Sequence, residues 1–337
     1  MTRTLLLASA ALAALPGLAV AEGELNLYSS RHYDTDERLY SDFEELHGVT
    51  INRIEGNADE LITRLEAEGA NSPADVLITV DTSRLARAAD MGLLQPVDSE
   101  VLEQRIPANL QDADNRWFGF SQRARIFFYD KDAVENPPQT YADLADPAYE
   151  GLVCIRSSTN TYNQTLLASI IENQGEEAAR AWAEGVVANM ARAPQGGDTD
   201  QIRGVVSGEC AIAVSNTYYF ARAIRTEVDG LSADIDRIGW VFPDQGGNGA
   251  HVNISGAGIA ANAPNAENAR LFLEYLASDQ AQAYFSEGND EFPAVAGVPL
   301  ADSVASLGAF KADDVDLTAV AAHLGDAQEI FNAVGWE

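Results

Sequence analysis

Leu25-Asn26-Leu27-Tyr28-Ser29-Ser30-Arg31-His32-Tyr33 reads as a short strand, Leu25–Tyr28, running into a polar turn. Beyond the turn, Leu39, Phe43 and Leu46 recur at helical spacing, so a helix is expected from near Asp36. The same alternation continues. Thr50–Ile54 is a second strand, Asn57 suits the N-cap of a helix with Leu61, Ile62 and Leu65 on its inner face, and Ala74–Ile78 is a third strand. A helix over Ser83–Ala89 stops before Gly92. Strand–helix alternation implies an α/β body with a largely parallel sheet.

Trp117–Tyr129 is β-prone and longer than an ordinary strand, which suits a segment crossing from one body to another. A second alternating set follows: strand Leu152–Ile155, helices around Thr165–Glu172, Ala178–Met190 and Thr199–Val206, strand Cys210–Ser215, a helix from about Tyr218, and strand Ile238–Phe242. Val252–Ala260 reads as a strand returning to the first body, where helix Ala266–Leu276 would pack. A lobe interrupted by another lobe, with crossing strands between them, is a hinged clam-shell. The expected division is residues 22–122 with 252–302 in lobe 1 and 123–251 in lobe 2. Residues 303–337 form a C-terminal helical segment that sequence assigns to neither lobe.

The chain opens with Arg3, an apolar run Leu5–Leu18 and then Ala19-Val20-Ala21. That order describes a cleavable signal peptide, residues 1–21. The run, about 14 residues, is too short to span a bilayer. Export to the periplasm is therefore expected, with a mature start at Glu22. The remaining length suits two lobes better than one small core.

Net charge is −31, from 21 basic and 52 acidic residues. Such a surface repels nucleic acid and anionic membranes. Its dull explanation is solvation, and it names no ligand. Cys154 and Cys210 in an exported chain are expected to form a disulfide, which would contribute roughly 4 kcal/mol on the chain-entropy model. Two cysteines and four scattered histidines make a poor zinc set.

In parallel α/β sheets, ligands gather outside the carboxyl ends of strands. Three such ends carry tyrosine in a polar turn: Tyr28-Ser29-Ser30-Arg31-His32-Tyr33, Arg156-Ser157-Ser158-Thr159-Asn160-Thr161-Tyr162, and Ser215-Asn216-Thr217-Tyr218-Tyr219. A lone tyrosine there usually packs its ring and bonds its hydroxyl; it is the repeated placement that points to a site. Tyr28, Tyr40, Tyr129, Tyr141, Tyr149, Tyr275 and Tyr284 fit ordinary packing. Phenolate is a hard anionic oxygen donor, scarce at neutral pH unless a highly charged cation stabilises it. It suits Fe³⁺ better than Cu⁺ or Zn²⁺, whereas Ca²⁺ and Mg²⁺ favour carboxylates and carbonyls. Four phenolates on Fe³⁺ carry net charge −1, so a nearby arginine would help; Arg31, Arg123 and Arg203 are the candidates.

These segments, with Val241-Phe242-Pro243-Asp244-Gln245 and His251-Val252-Asn253-Ile254-Ser255-Gly256, closely resemble the periplasmic ferric-iron-binding proteins of ABC transporters, in their tyrosine-rich branch. The likeness covers nearly the whole mature chain. It implies a two-lobed periplasmic binding protein of the class II type, a transported Fe³⁺, a membrane permease as partner, and a monomer. It further implies Tyr33, Tyr162, Tyr218 and Tyr219 as ligands. His32 joins them as a fifth candidate, because the corresponding histidine ligates in some members and is displaced in others. Other branches add a carboxylate and bound anions, so a synergistic anion is a further expectation.

The rival reading keeps the clamp and fills it with an organic or anionic solute: a polyamine, a phosphonate or a vitamin. Asp34 and Asp36 would serve a polyamine; Arg31 and the Ser/Thr-rich turns would serve an anion. An exported enzyme is the other class, but the chain has no H-E-x-x-H or G-x-S-x-G. Ser255-Gly256-Ala257-Gly258 resembles the start of a dinucleotide loop, but it precedes its strand where such a loop follows one.

Overall fold

The computed structural model describes residues 23–31 and 33–337; the expected signal peptide and His32 lie outside the described residues. Ten strands are present there: β1 Gly23–Ser29, β2 Val49–Glu55, β3 Val76–Thr79, β4 Leu94–Gln95, β5 Phe118–Asp130, β6 Val153–Cys154, β7 Ile212–Asn216, β8 Ile238–Val241, β9 Val252–Ala260 and β10 Phe292–Pro293. Their pairing follows one path, β2-β1-β3-β9-β5-β7-β6.

β5 belongs to both ends of that path. Phe118–Ala124 pairs antiparallel with β9, whereas Arg125–Tyr129 pairs antiparallel with β7. β8 joins over Phe127–Asp130. The long β-prone run is thus one strand serving two sheets, with β9 running back beside its first half.

In the first body β2 and β3 each run parallel to β1, but β9 meets β3 antiparallel, and β4 and β10 add further antiparallel pairs. The sheet of the first body is therefore mixed, not largely parallel as expected. The return strand is the reason, since β9 enters from the far side. Two of its glycines are packing requirements. A Cβ at Gly256 would lie 2.6 Å from the Phe118 carbonyl oxygen, and one at Gly258 would lie 2.4 Å from that of Arg116. The dinucleotide-like glycines let β5 and its approach lie against β9.

The local signals work as elementary chemistry suggests. Helix Glu37–His47 buries Leu39, Tyr40 and Phe43 and stops at Gly48 in the left-handed conformation. The Asn57 side chain accepts from the Asp59 amide at 2.9 Å and opens helix Ala58–Glu68. Helix Thr161–Gln174 begins four residues earlier than the apolar pattern suggested, which puts Tyr162 in its first turn.

One apolar cluster joins β1, β3 and β9 to helices Glu37–His47 and Ala266–Leu276. A second gathers Phe127, Ile212, Leu166 and Trp182 with Val320, Ala327, Ile330, Phe331 and Trp336. The C-terminal helices Leu317–Ala322 and Leu324–Val334 therefore pack mainly with the second body, while Leu317 reaches the first cluster. The disulfide Cys154–Cys210 is present, its Cα atoms 5.8 Å apart. No helix among the described residues is long and apolar enough to cross a membrane.

Candidate metal centre

Each tyrosine-bearing turn follows a strand. Tyr33 comes four residues after β1, Tyr162 lies beyond β6, and Tyr218 and Tyr219 lie in the first turn of helix Thr217–Arg225, directly after β7. The fold brings these turns together. The phenol oxygens of Tyr162 and Tyr218 are 3.4 Å apart, and the rings of Tyr218 and Tyr219 lie with centroids 4.1 Å apart. Charge on Tyr33 is felt at Tyr162, Tyr218 and Tyr219. Tyr162 is 7% exposed and Tyr218 2%, while Tyr33 and Tyr219 are half-buried.

Burial raises all four phenols. Tyr162 is pushed up to about 12, opposed by Arg123 and aided by Tyr33. Tyr218 and Tyr219 also rise, from burial first and from neighbouring phenols and, at Tyr219, Asp198. Tyr33 rises through burial and Glu291, partly offset by Arg31, Arg123 and Arg222. Without a cation these groups stay protonated at neutral pH.

The cations around them are held by buried carboxylates. Arg31 bonds Asp36 at 2.8 and 3.0 Å and lies 4.9 Å from the Tyr33 ring centroid. Arg123 bonds Glu291 at 2.5 Å and lies 5.9 Å from the Tyr218 ring. Arg222 lies 5.9 Å from the Tyr33 ring and 5.8 Å from that of Tyr218. Arg225 bonds Asp290, the carboxylate beside Arg222, so that Arg31, Arg123, Arg222 and Arg225 form one group of carboxylate-paired cations. Arg203 is not part of it: it bonds Asp200 and the Asp229 carbonyl and is 40% exposed. Arg222, four residues after Tyr218, occupies the role expected of Arg203. The i, i+4 spacing that puts Arg222 on the tyrosine's face was available in the sequence.

A second network, unforeseen from sequence, ties two turns to each other. Arg125, buried on β5, donates to the Asn163 side-chain oxygen at 2.6 Å, to that of Asn216 at 3.1 Å and to Asp198 at 3.1 Å. Asp198 in turn accepts from the Asn216 amide at 3.0 Å. Asn163 follows Tyr162, and Asn216 precedes Thr217 and Tyr218, so one guanidinium sets both. The chain end adds support: Trp336 Nε1 donates to the Arg156 carbonyl at 3.0 Å, and the Ser158 amide donates to the Glu337 carbonyl at 3.0 Å. From the first body, Arg84 donates to Thr161 Oγ1 at 2.5 Å, and Asn253, on β9, donates to Thr165 Oγ1 at 3.0 Å. These bonds flank Tyr162.

Two other tyrosine hydroxyls are bonded elsewhere. Tyr28 donates to Glu68 at 2.7 Å and Tyr141 to the Arg125 carbonyl at 2.7 Å. Asp36, one of the carboxylates a polyamine would need, is committed to Arg31. Among the described residues no group of three His, Cys, Asp or Glu side chains could hold a metal. The oxygen donors that converge here are phenols.

Residues 38–312 match the bacterial extracellular solute-binding protein family. The chain belongs to that family. This solute-binding protein is 50% identical over 315 residues to iron uptake protein A1 of Synechocystis sp. strain PCC 6803, covering 93% of this chain and 88% of the other. Its fold is similar to the structure of Trichodesmium FutA (IdiA) in complex with iron and citrate, with TM-score 0.90, 50% identity and coverage of 94% of this chain and all (100%) of that one. The ferric binding protein from Campylobacter jejuni matches with TM-score 0.86 and 41% identity, over 93% of this chain and 100% of that one. The two-lobed periplasmic binding protein fold expected from the order of elements is the fold of these structures.

Proposed function

We propose that this solute-binding protein captures ferric iron outside the cytoplasmic membrane and delivers it, as a monomer, to an ABC permease for import. The observation that carries this reading is the meeting of Tyr162, Tyr218 and Tyr219 within reach of Tyr33, faced by arginines. Buried phenols kept protonated at neutral pH become ligands only to a cation acidic enough to displace their protons, and Fe³⁺ is such a cation. The names of the relatives agree with iron as the cargo.

In this reading Tyr33, Tyr162, Tyr218 and Tyr219 ligate the ion, with His32 as a fifth candidate. The cleft divides residues 22–122 and 252–302 from residues 123–251, and residues 303–337 go with the latter. Iron docks on Tyr162, Tyr218 and Tyr219, and closure brings Tyr33 in and shuts out water. Four phenolates leave positions on the ion open for water or a small carboxylate anion; the Trichodesmium structure carries citrate as well as iron. Residues 1–21 act as the signal peptide that sends the chain to the periplasm.

The test is a visible absorption titration of iron-stripped protein with ferric citrate, followed by dithionite. A saturable band at one iron per protein, bleached on reduction, is expected of phenolate–Fe³⁺ ligation. A folded protein giving no band in air would move the reading to an organic or anionic solute.

A further inference from the structure

Asp290 follows helix Asp279–Asn289, whose Ala281, Tyr284 and Phe285 belong to the first apolar cluster. Its side chain is 0% exposed and its φ is 60°, in the left-handed region that non-glycine residues rarely occupy. A carboxylate so placed needs strong partners, and it has them on the other body. Arg225 donates to it through Nε at 2.9 Å and Nη2 at 2.8 Å, a bidentate pair. Arg222 Nε stands 3.7 Å away. Both arginines lie on helix Thr217–Arg225, whose first turn carries Tyr218 and Tyr219. Ser303 Oγ is a further donor, at 2.8 Å, from outside that helix.

We infer that Asp290 is a positioning residue for the iron centre, acting through Arg222. One carboxylate on the first body grips the last turn of the tyrosine helix. It also orients the guanidinium that reaches both the Tyr33 ring, from the first body, and the Tyr218 ring, from the second. The link joins the two sides of the site without touching the ion. It sets how strongly a cation stabilises the phenolates, and therefore how readily iron leaves. This inference rests on the reading of the tyrosines as iron ligands.

The test compares Asp290→Asn, Arg222→Gln, their double variant and Arg203→Gln, each loaded with ferric citrate. With Arg222 no longer held over the rings, phenolate electrons rise in energy and the charge-transfer band moves to longer wavelength. Asp290→Asn and Arg222→Gln should both move it that way. Both should also speed iron transfer to a competing chelator by roughly tenfold to a hundredfold, the range for partners of metal ligands. Asp290→Asn should add little in the Arg222→Gln background. Arg203→Gln, an exposed arginine outside the group, should leave band and transfer rate at the wild-type values. A folded Asp290→Asn protein with the wild-type band and rate overturns the proposal, as do fully additive effects in the double variant. So does an equal shift from Arg203→Gln, which would mark the effect as unspecific loss of positive charge. If Asp290→Asn does not fold, Arg225→Gln cuts the same bidentate pair from a partly exposed position and is judged by the same band and rate. A wild-type protein with no iron band overturns the iron reading itself.

Discussion

Tyr162 and Tyr218 begin different helices, 56 residues apart in sequence, and their phenol oxygens stand 3.4 Å apart. Neither gains from ionising beside the other unless a cation lies between them or close by. Replacing Tyr218 or Tyr219 by Phe keeps the ring and deletes the oxygen, so it separates ligation from packing. Each variant should lose iron affinity by at least about a hundredfold, more than the usual cost of an outer partner. Thermal unfolding of the iron-free forms should stay within a few degrees of wild type. Competition titration against citrate measures the first quantity and calorimetry the second. Wild-type affinity in both variants would remove these residues from the ligand set.

If these phenols ligate Fe³⁺ as proposed, the same burial makes its capture a proton-releasing reaction. With Tyr162 pushed up to about 12 and Tyr33, Tyr218 and Tyr219 also raised, the phenols of the iron-free protein are protonated at pH 7. Each one that ligates gives up its proton, so apparent affinity rises with pH and falls on acidification. Tyr219→Phe should release one proton fewer than wild type when both are loaded from the same ferric chelate in weak buffer. Equal proton release would mean that Tyr219 is not deprotonated on binding.

Cys154 ends β6 and Cys210 lies just before β7, the two strands that feed the turns of Tyr162 and Tyr218. Their sequence separation is 56. On the chain-entropy model a closed loop of that size contributes roughly 4 kcal/mol. The paired change Cys154→Ser with Cys210→Ser should lower unfolding free energy by about that much in urea. Because the bond also ties β6 to the approach of β7, the serine protein should release iron faster. An unchanged midpoint would place the disulfide outside the folding energetics.

Much of this was legible beforehand because the signals are local. Val252–Ala260 and Ala266–Leu276 appear with the boundaries read from sequence, the first set off by the glycine-rich segment before it and the second by its helical stripe. The three tyrosine turns are likewise local, each being a strand end followed by a helix start. The strand directions around β9 were not legible, because pairing depends on where the chain has been. Nor was the network behind the tyrosines. Arg125, Asp198, Asp290 and Glu291 are ordinary charged residues in sequence, and their burial comes from contacts up to 260 residues away. Helix Asp279–Asn289 went unread for the related reason that its apolar face is short and mixed with Gln282 and Ser286.

His251 offers a test of the fold's acid sensitivity that does not depend on iron. It precedes β9, its amide donates to Tyr141 Oη at 2.9 Å, and its carbonyl accepts from the Arg125 amide at 3.0 Å. The ring is 2% exposed, and neither nitrogen has a hydrogen-bond partner among the described residues. Burial first, and the Arg125 charge second, push its pKa down to about 3. In the unfolded chain the imidazole takes its proton near pH 6.5, while the folded protein holds it neutral to far lower pH. Between those values the unfolded state binds the extra proton, so the unfolding free energy rises with pH, and stability is lost as pH falls below 6.5. His251→Phe removes that proton and keeps an apolar ring in an apolar place. Its urea midpoint should fall less than that of wild type between pH 7 and pH 4.5. Parallel losses in the two proteins would mean that the acid sensitivity of the fold lies elsewhere, in carboxylates such as Glu291, which Arg123 and Arg31 hold below its ordinary range against the opposing effect of burial.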